Sequence, residues 1–237
     1  MRTIKSIKRL VLILITVSVV ALISGTAFAV PTLQLYSENA SYDPATESWI
    51  ITENPFVLQI LGADQPNQLN FIDDVTLYIA VPDSSGSITI QGISSSLESG
   101  SFGPFTFDDD DIIVGEPPFA NQFPRHGIYP AYFISIPLED LQVNDESDTI
   151  INSVDIAEGI TPPGTDTGDI DLYQITYSGF SSLHMDLTGT THYSGNKPDA
   201  QEFAPFSHDA TAVPEPGMLL LFGSGLLCLG FFARKRK

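Results

Sequence analysis

Glycine and proline punctuate this chain too often for long helices. Residues 30–212 contain 13 Gly and 15 Pro, scattered so that helical runs are cut short and turns are plentiful. Between the breaks lie short stretches in which apolar residues recur at every second position. Val75, Leu77, Ile79 and Val81 share one face of Asp74–Val81, and Leu183, Met185 and Leu187 share one face of Ser182–Gly189. Asp171–Tyr177 alternates in the same way through Tyr173, Ile175 and Tyr177. Period two over short segments is the mark of half-buried strands. Leu33–Tyr36, Ser48–Thr52, Val57–Leu61, Ser87–Gln91 and Tyr132–Ile136 are further strand candidates. About eight to ten short strands predict an all-β fold, a β-sandwich or jelly roll, as one domain over residues 30–212. Ile175–Leu187 reads as a hairpin around Ser178–Ser181, Leu138–Val143 as a single helical turn, and Thr161–Gly168 as a loop.

Charge divides the 237 residues into three pieces. Residues 30–212 carry 28 acids against only Arg125 and Lys197, a net charge of −26, whereas both ends are basic. A domain so acidic has no means of neutralising phosphates, which excludes nucleic-acid binding. Residues 1–29 join the basic start Arg2, Lys5, Lys8 and Arg9 to an apolar run, Leu10–Ile23, short for a lasting bilayer span, an uncleaved single-span anchor being the competing expectation. Ala27 and Ala29 then supply the small-x-small pattern for cleavage by signal peptidase. The expectation is export across the inner membrane, with the mature chain starting at Val30. Cys228, the single cysteine, lies outside residues 30–212, so the exported part has no disulfide and no thiol chemistry.

Residues 213–237 have three parts in order. Val213-Pro214-Glu215-Pro216-Gly217 keeps the chain extended, Met218–Phe232 is an uncharged apolar span, and Arg234, Lys235, Arg236 and Lys237 form a basic stop. This tail resembles the PEP-CTERM sorting signal. The resemblance implies a membrane-embedded exosortase as processing partner, transient anchoring in the inner membrane, and delivery to the cell surface or exopolysaccharide matrix, settings associated with biofilm. The middle of the chain is similar to the choice-of-anchor N proteins, through Leu33–Tyr36, Ala40–Asp43, Arg125–Tyr132, Ser178–Phe180, His184–Leu187 and Phe203–Ala210. That likeness implies an extracellular domain and no particular activity.

Several residues invite chemistry. Asp108, Asp109, Asp110 and Asp111 place four repelling charges together, which oxygen-liganded calcium would relieve, and Asp166, Asp169 and Asp171 beside Gly164 and Gly168 suggest a second calcium loop. The competing expectation for each is a solvated acidic loop. His184 with Asp186, and His208 with Asp209, suggest a transition-metal site and hence a periplasmic metal-binding protein. Asp166-Thr167-Gly168 matches the aspartic-protease triplet, but Pro162-Pro163-Gly164-Thr165 precedes it instead of an apolar strand. Carboxylate pairs for glycoside hydrolysis arise by chance among so many acids. Tyr36, Tyr42, Trp49, Tyr129, Tyr132 and Tyr193 offer rings for stacking on sugars. The resulting expectation is a non-catalytic surface or matrix protein that is not an enzyme, with a carbohydrate-binding or carbohydrate-degrading module as the alternative.

Overall fold

The computed structural model describes residues 29–211, apart from 65–68, 94–101, 125–126 and 145–146. The expected signal segment up to Phe28, including Ala27, and the tail residues Val213–Lys237 lie outside the described residues. The fold within them is mostly strand. In order these are β1 (Leu33–Tyr36), β2 (Ser41–Asp43), β3 (Ser48–Ile51), β4 (Phe56–Ala63), β5 (Leu69–Val81), β6 (Ser87–Gly92) and β7 (Phe105–Phe107). Then come β8 (Ile113–Gly115), β9 (Ala131–Pro137), β10 (Asp148–Ile151), one short helix α1 (Ser153–Ala157), β11 (Thr165–Ser178), β12 (Ser182–Tyr193), β13 (Ala200–Phe203) and β14 (Ser207–Thr211).

Two sheets result. The first runs β1-β4-β11-β6-β7, with β10 also paired to β11. The second runs β2-β3-β14-β12-β5-β9-β8, with β13 also paired to β12. Pairings are antiparallel except for β3 with β14, which is parallel. The period-two residues decide how the sheets meet. Tyr173, Ile175 and Tyr177 of β11 share one buried cluster with Leu77 and Ile79 of β5 and with Leu183, Met185 and Leu187 of β12. A single core fed by the inner faces of both sheets is a sandwich, and burial of that shared apolar face is its main driving force.

The expected hairpin does not form. β11 belongs to the first sheet and β12 to the second, so Ser178–Ser181 crosses the sandwich edge. Phe180 is buried in the core there, which draws the connection inward instead of letting it close a two-strand turn. Gly179 sits at φ +82, and a Cβ on it would lie 2.7 Å from Gly86 Cα. This turn is therefore pressed against the β5–β6 turn at one pole of the sandwich, where only glycine fits.

Leu138–Val143 is not helical either. Leu138 and Leu141 donate backbone hydrogen bonds to Val75 and Ile72 of β5, at 2.8 and 2.9 Å. The opposite sheet captures the neighbouring donors, with Gln142 N bonded to Asp169 Oδ2 at 2.8 Å and Glu139 N to Tyr173 Oη at 3.3 Å. These partners outside the segment satisfy donors that a helical turn would otherwise have used. The helix forms instead at α1, where Asn152 Oδ1 caps Val154 N and Asp155 N. Buried Gln34 holds its start by accepting from both Ser153 N (2.9 Å) and Ser153 Oγ (2.7 Å). Thr161–Gly168 is a loop only up to Gly164, because β11 begins at Thr165.

Candidate functional site

The outer face of the second sheet carries a buried polar network. Alternation along β12 sends Leu183, Met185 and Leu187 into the core and leaves His184 and Asp186 on the outer face. They are nonetheless only 6% and 2% exposed. β14 lies alongside with Met185 opposite His208, so Ser207 and Asp209 share the outer face with His184. His184 Nδ1 meets Asp209 Oδ1 at 2.6 Å and His184 Nε2 meets Asp186 Oδ2 at 3.3 Å. Asp186 also accepts from Ser207 Oγ at 2.7 Å and from Tyr129 Oη at 3.2 Å.

The segment between β8 and β9 covers this face. Phe123 and Tyr129 pack on Tyr78 and Phe133 in a separate apolar cluster, joined by Phe203 of β13. Phe119, at φ +65, is held edge-on to Phe203 with centroids 5.9 Å apart. A bulky residue in the left-handed region marks a loop fixed by its contacts.

Burial by itself would lower the pKa of the His184 ring, but its hydrogen bonds to Asp186 and Asp209 and their charges outweigh it, raising the pKa to about 9. His184 is therefore an imidazolium at neutral pH. Both its nitrogens are directed at carboxylates, to which the imidazolium donates. Burial, then the Asp186 charge, pushes the Tyr129 hydroxyl far above its ordinary range. Two hollows adjoin His184. One of about 350 Å3 lies under Phe123 and Tyr129. The other, about 750 Å3, is a groove walled by Val81, Pro82, Val114, Ile128 and Tyr132, with His184 and Asp209 among its lining.

β12 repeats the device eight residues on. His192 Nε2 lies 2.8 Å from Asp73 Oδ1 and Nδ1 lies 3.2 Å from Asp199 Oδ1. Its ring stacks on Phe71 at 4.5 Å. The hydrogen bond to Asp73 raises its pKa. His208 behaves oppositely. It faces inward, stacks on Trp49 at 6.2 Å, and is fully buried. Neither of its nitrogens, nor Trp49 Nε1, has a hydrogen-bond partner among the described residues. Burial pushes the His208 pKa down to about 3, despite the opposing charge of Asp209.

Of the residues singled out from sequence, His184, Asp186 and Asp209 come together and the others are dispersed. Asp108–Asp111 form an exposed turn between β7 and β8, in which Asp108 Oδ1 accepts from Asp110 N and Asp111 Oδ2 from Asp108 N, each at 3.2 Å. Asp169 and Asp171 are buried on the inner face of β11, while Asp166 lies on the other face of the same strand. His184 and His208 are on opposite faces of the second sheet. Among the described residues, no group of three or more His, Cys, Asp or Glu converges on a metal position. Trp49 is buried between Tyr36 at 5.7 Å and Tyr42 at 5.5 Å, and of the six rings considered for sugar stacking only Tyr132 is exposed. Sequence reasoning missed the double clamps on His184 and His192. Asp209 and Asp73 come from distant strands, and only the period-two placement of His184, Asp186 and His192 on one face of β12 hinted at them.

Residues 212–237 match the family model described as the PEP-CTERM protein-sorting motif. The motif implies export, anchoring through the C-terminal segment, and exosortase as processing partner. No curated protein matches the chain. Among solved structures, the CooA pilin subunit from enterotoxigenic Escherichia coli aligns over 78% of this chain and 100% of its own, at 9% identity and a TM-score of 0.18. A structure titled BspA_C_WT aligns over 73% of this chain and 50% of its own, at 7% identity and a TM-score of 0.19. Likenesses this slight bear on neither fold nor function. No helix among the described residues is long and apolar enough to cross a membrane.

Proposed function

We propose that the chain is a non-catalytic surface or exopolysaccharide-matrix protein, carried out of the cell by its N-terminal segment and sorted by an exosortase. The observation that carries this reading is the sorting motif at residues 212–237. The acidic sandwich suits a hydrated polyanionic setting, since its charge keeps copies soluble and apart. The similarity to choice-of-anchor N proteins in the sequence fits the same placement. A non-enzymatic role is supported by the engagement of both His184 nitrogens and of Ser207 with carboxylates, which leaves that cluster no poised base or nucleophile. Calcium at Asp108–Asp111 rests on charge alone. A carbohydrate module gains no support from Trp49, which is buried.

Deleting residues 212–237 in the host tests this. The expected result is loss of the protein from the surface and matrix fractions, with a soluble exported form in its place. Unchanged surface localisation would remove the basis of the reading.

A further inference from the structure

The last strand of the sandwich, β14, ends at the larger of the two grooves. Thr211 pairs with Ser182 at the start of β12, and both residues line that groove. The sorting motif begins at the next residue, so the chain leaves the domain at this spot. Pro214 is three residues beyond Thr211 and, even fully extended, lies within roughly 11 Å of it.

The groove suits what arrives there. Its volume, about 750 Å3, is in the range that takes a small ligand or a few residues of extended chain. Among the described residues its walls include Pro82 after β5, Val114 of β8, and Ile128, Pro130 and Tyr132 around the start of β9. All five are exposed, Val114 at 72%, which leaves a contiguous apolar surface in water. Ala212, Val213, Pro214 and Pro216 are apolar as well, and the two prolines restrict the segment to extended conformations. Such segments dock in apolar grooves that contain aromatic rings because little conformational freedom remains to be lost, and Tyr132 supplies a ring. Attachment through Thr211 gives the segment an effective concentration on the order of millimolar or above. A contact too weak to hold a free peptide is then enough, and any free ligand would compete with it.

We propose that this groove seats the chain's own sorting segment, Val213 and Pro214 packing against Val114, Ile128 and Tyr132, and that the contact slows processing. Docked, the backbone around Pro214-Glu215-Pro216 has the domain against one side, where a processing enzyme needs access. The slowed processing rests on the reading of the chain as an exosortase substrate, whereas the docking does not.

Methyl NMR on the full chain in nanodiscs, prepared from a host without exosortase, tests the contact. Nuclear Overhauser effects are expected between the Val213 methyls and the Tyr132 ring. Ser182→Trp fills the groove from its rim and should abolish them while preserving the melting temperature. Val114→Asp, at an exposed edge position, should weaken them too, and it decides the matter if Ser182→Trp fails to fold. In a host with an active exosortase, pulse-chase labelling should show both variants losing the tail roughly threefold or more faster than the natural chain. Val213 methyls without contact to Tyr132 would overturn the docking, as would contacts from Tyr132 to lipid acyl chains in their place. Contacts present with cleavage unchanged in both variants would overturn the role in processing. Contacts present with no cleavage of any chain would uphold the docking and contradict the exosortase reading instead.

Discussion

At the scale of single residues, neighbouring strands hold two histidines in opposite protonation states. His184 of β12 is held charged by Asp186 and Asp209, with its pKa raised to about 9, whereas His208 of β14 is buried against Trp49 and held neutral, its pKa lowered to about 3. The ordinary value in the unfolded chain is about 6.5. His184 therefore stabilises the fold fully below pH 6.5 and loses that contribution as pH rises toward 9. His208 contributes fully above pH 6.5 and loses its contribution as pH falls toward 3. Stability from the pair is greatest near pH 6.5. The His184 contribution is on the order of 3 kcal/mol. Melting temperature measured across pH should fall on both sides of that maximum. His184→Gln is expected to shrink the alkaline limb, and His208→Leu to flatten the acid limb between pH 6.5 and 5, above the range where most carboxylates titrate. A profile that keeps both limbs in both variants would contradict these assignments.

At the scale of elements, the tightest constraint is the pole where two sheet-crossing turns meet. A Cβ at Gly86 would lie 2.5 Å from the Ser178 carbonyl oxygen and 2.7 Å from the Phe180 ring, so backbone would have to move. Gly86→Ala is expected to cost about 2–4 kcal/mol, read as a lower denaturation midpoint with an unchanged slope. A neutral result would mean the two turns are not packed together. The strands were legible in sequence where one face is core and the other is not. Leu33–Tyr36 falls on β1 without adjustment, and Tyr173–Tyr177 and Leu183–Leu187 fall within β11 and β12. Period two does not reveal which sheet a strand joins, which is why β11 and β12 read as a hairpin. Short edge strands such as β2, β7 and β8 carry only three residues each, too few for any periodicity to register. The pairings His184–Asp209 and His192–Asp73 depend on register between strands remote in sequence, so neither clamp was legible. The β5 bulge at Asp74, with φ +49, was equally hidden, because nothing local distinguishes that Asp from its neighbour Asp73.

At the scale of the whole molecule, charge and destination belong together. A net charge of −26 over residues 30–212 repels itself across the folded surface. Sodium chloride from 10 to 300 mM is therefore expected to raise the melting temperature by roughly a few degrees. Asp108 and Asp111 each give one side-chain oxygen to their own turn, and charge screening alone predicts that calcium and magnesium at equal ionic strength act alike. A shift specific to calcium would instead show a true site. The sorting motif at residues 212–237 implies export, C-terminal anchoring and processing of this acidic sandwich, and the reading of the protein as an exosortase substrate stands or falls on what happens there. The most direct measurement is the intact mass of the protein recovered outside cells of a host with an active exosortase, compared with the same host lacking it. The account predicts a chain that begins at Val30 and ends near Pro214–Pro216 in the first case, and one retaining residues up to Lys237 in the second. A full-length C-terminus in both hosts would contradict it.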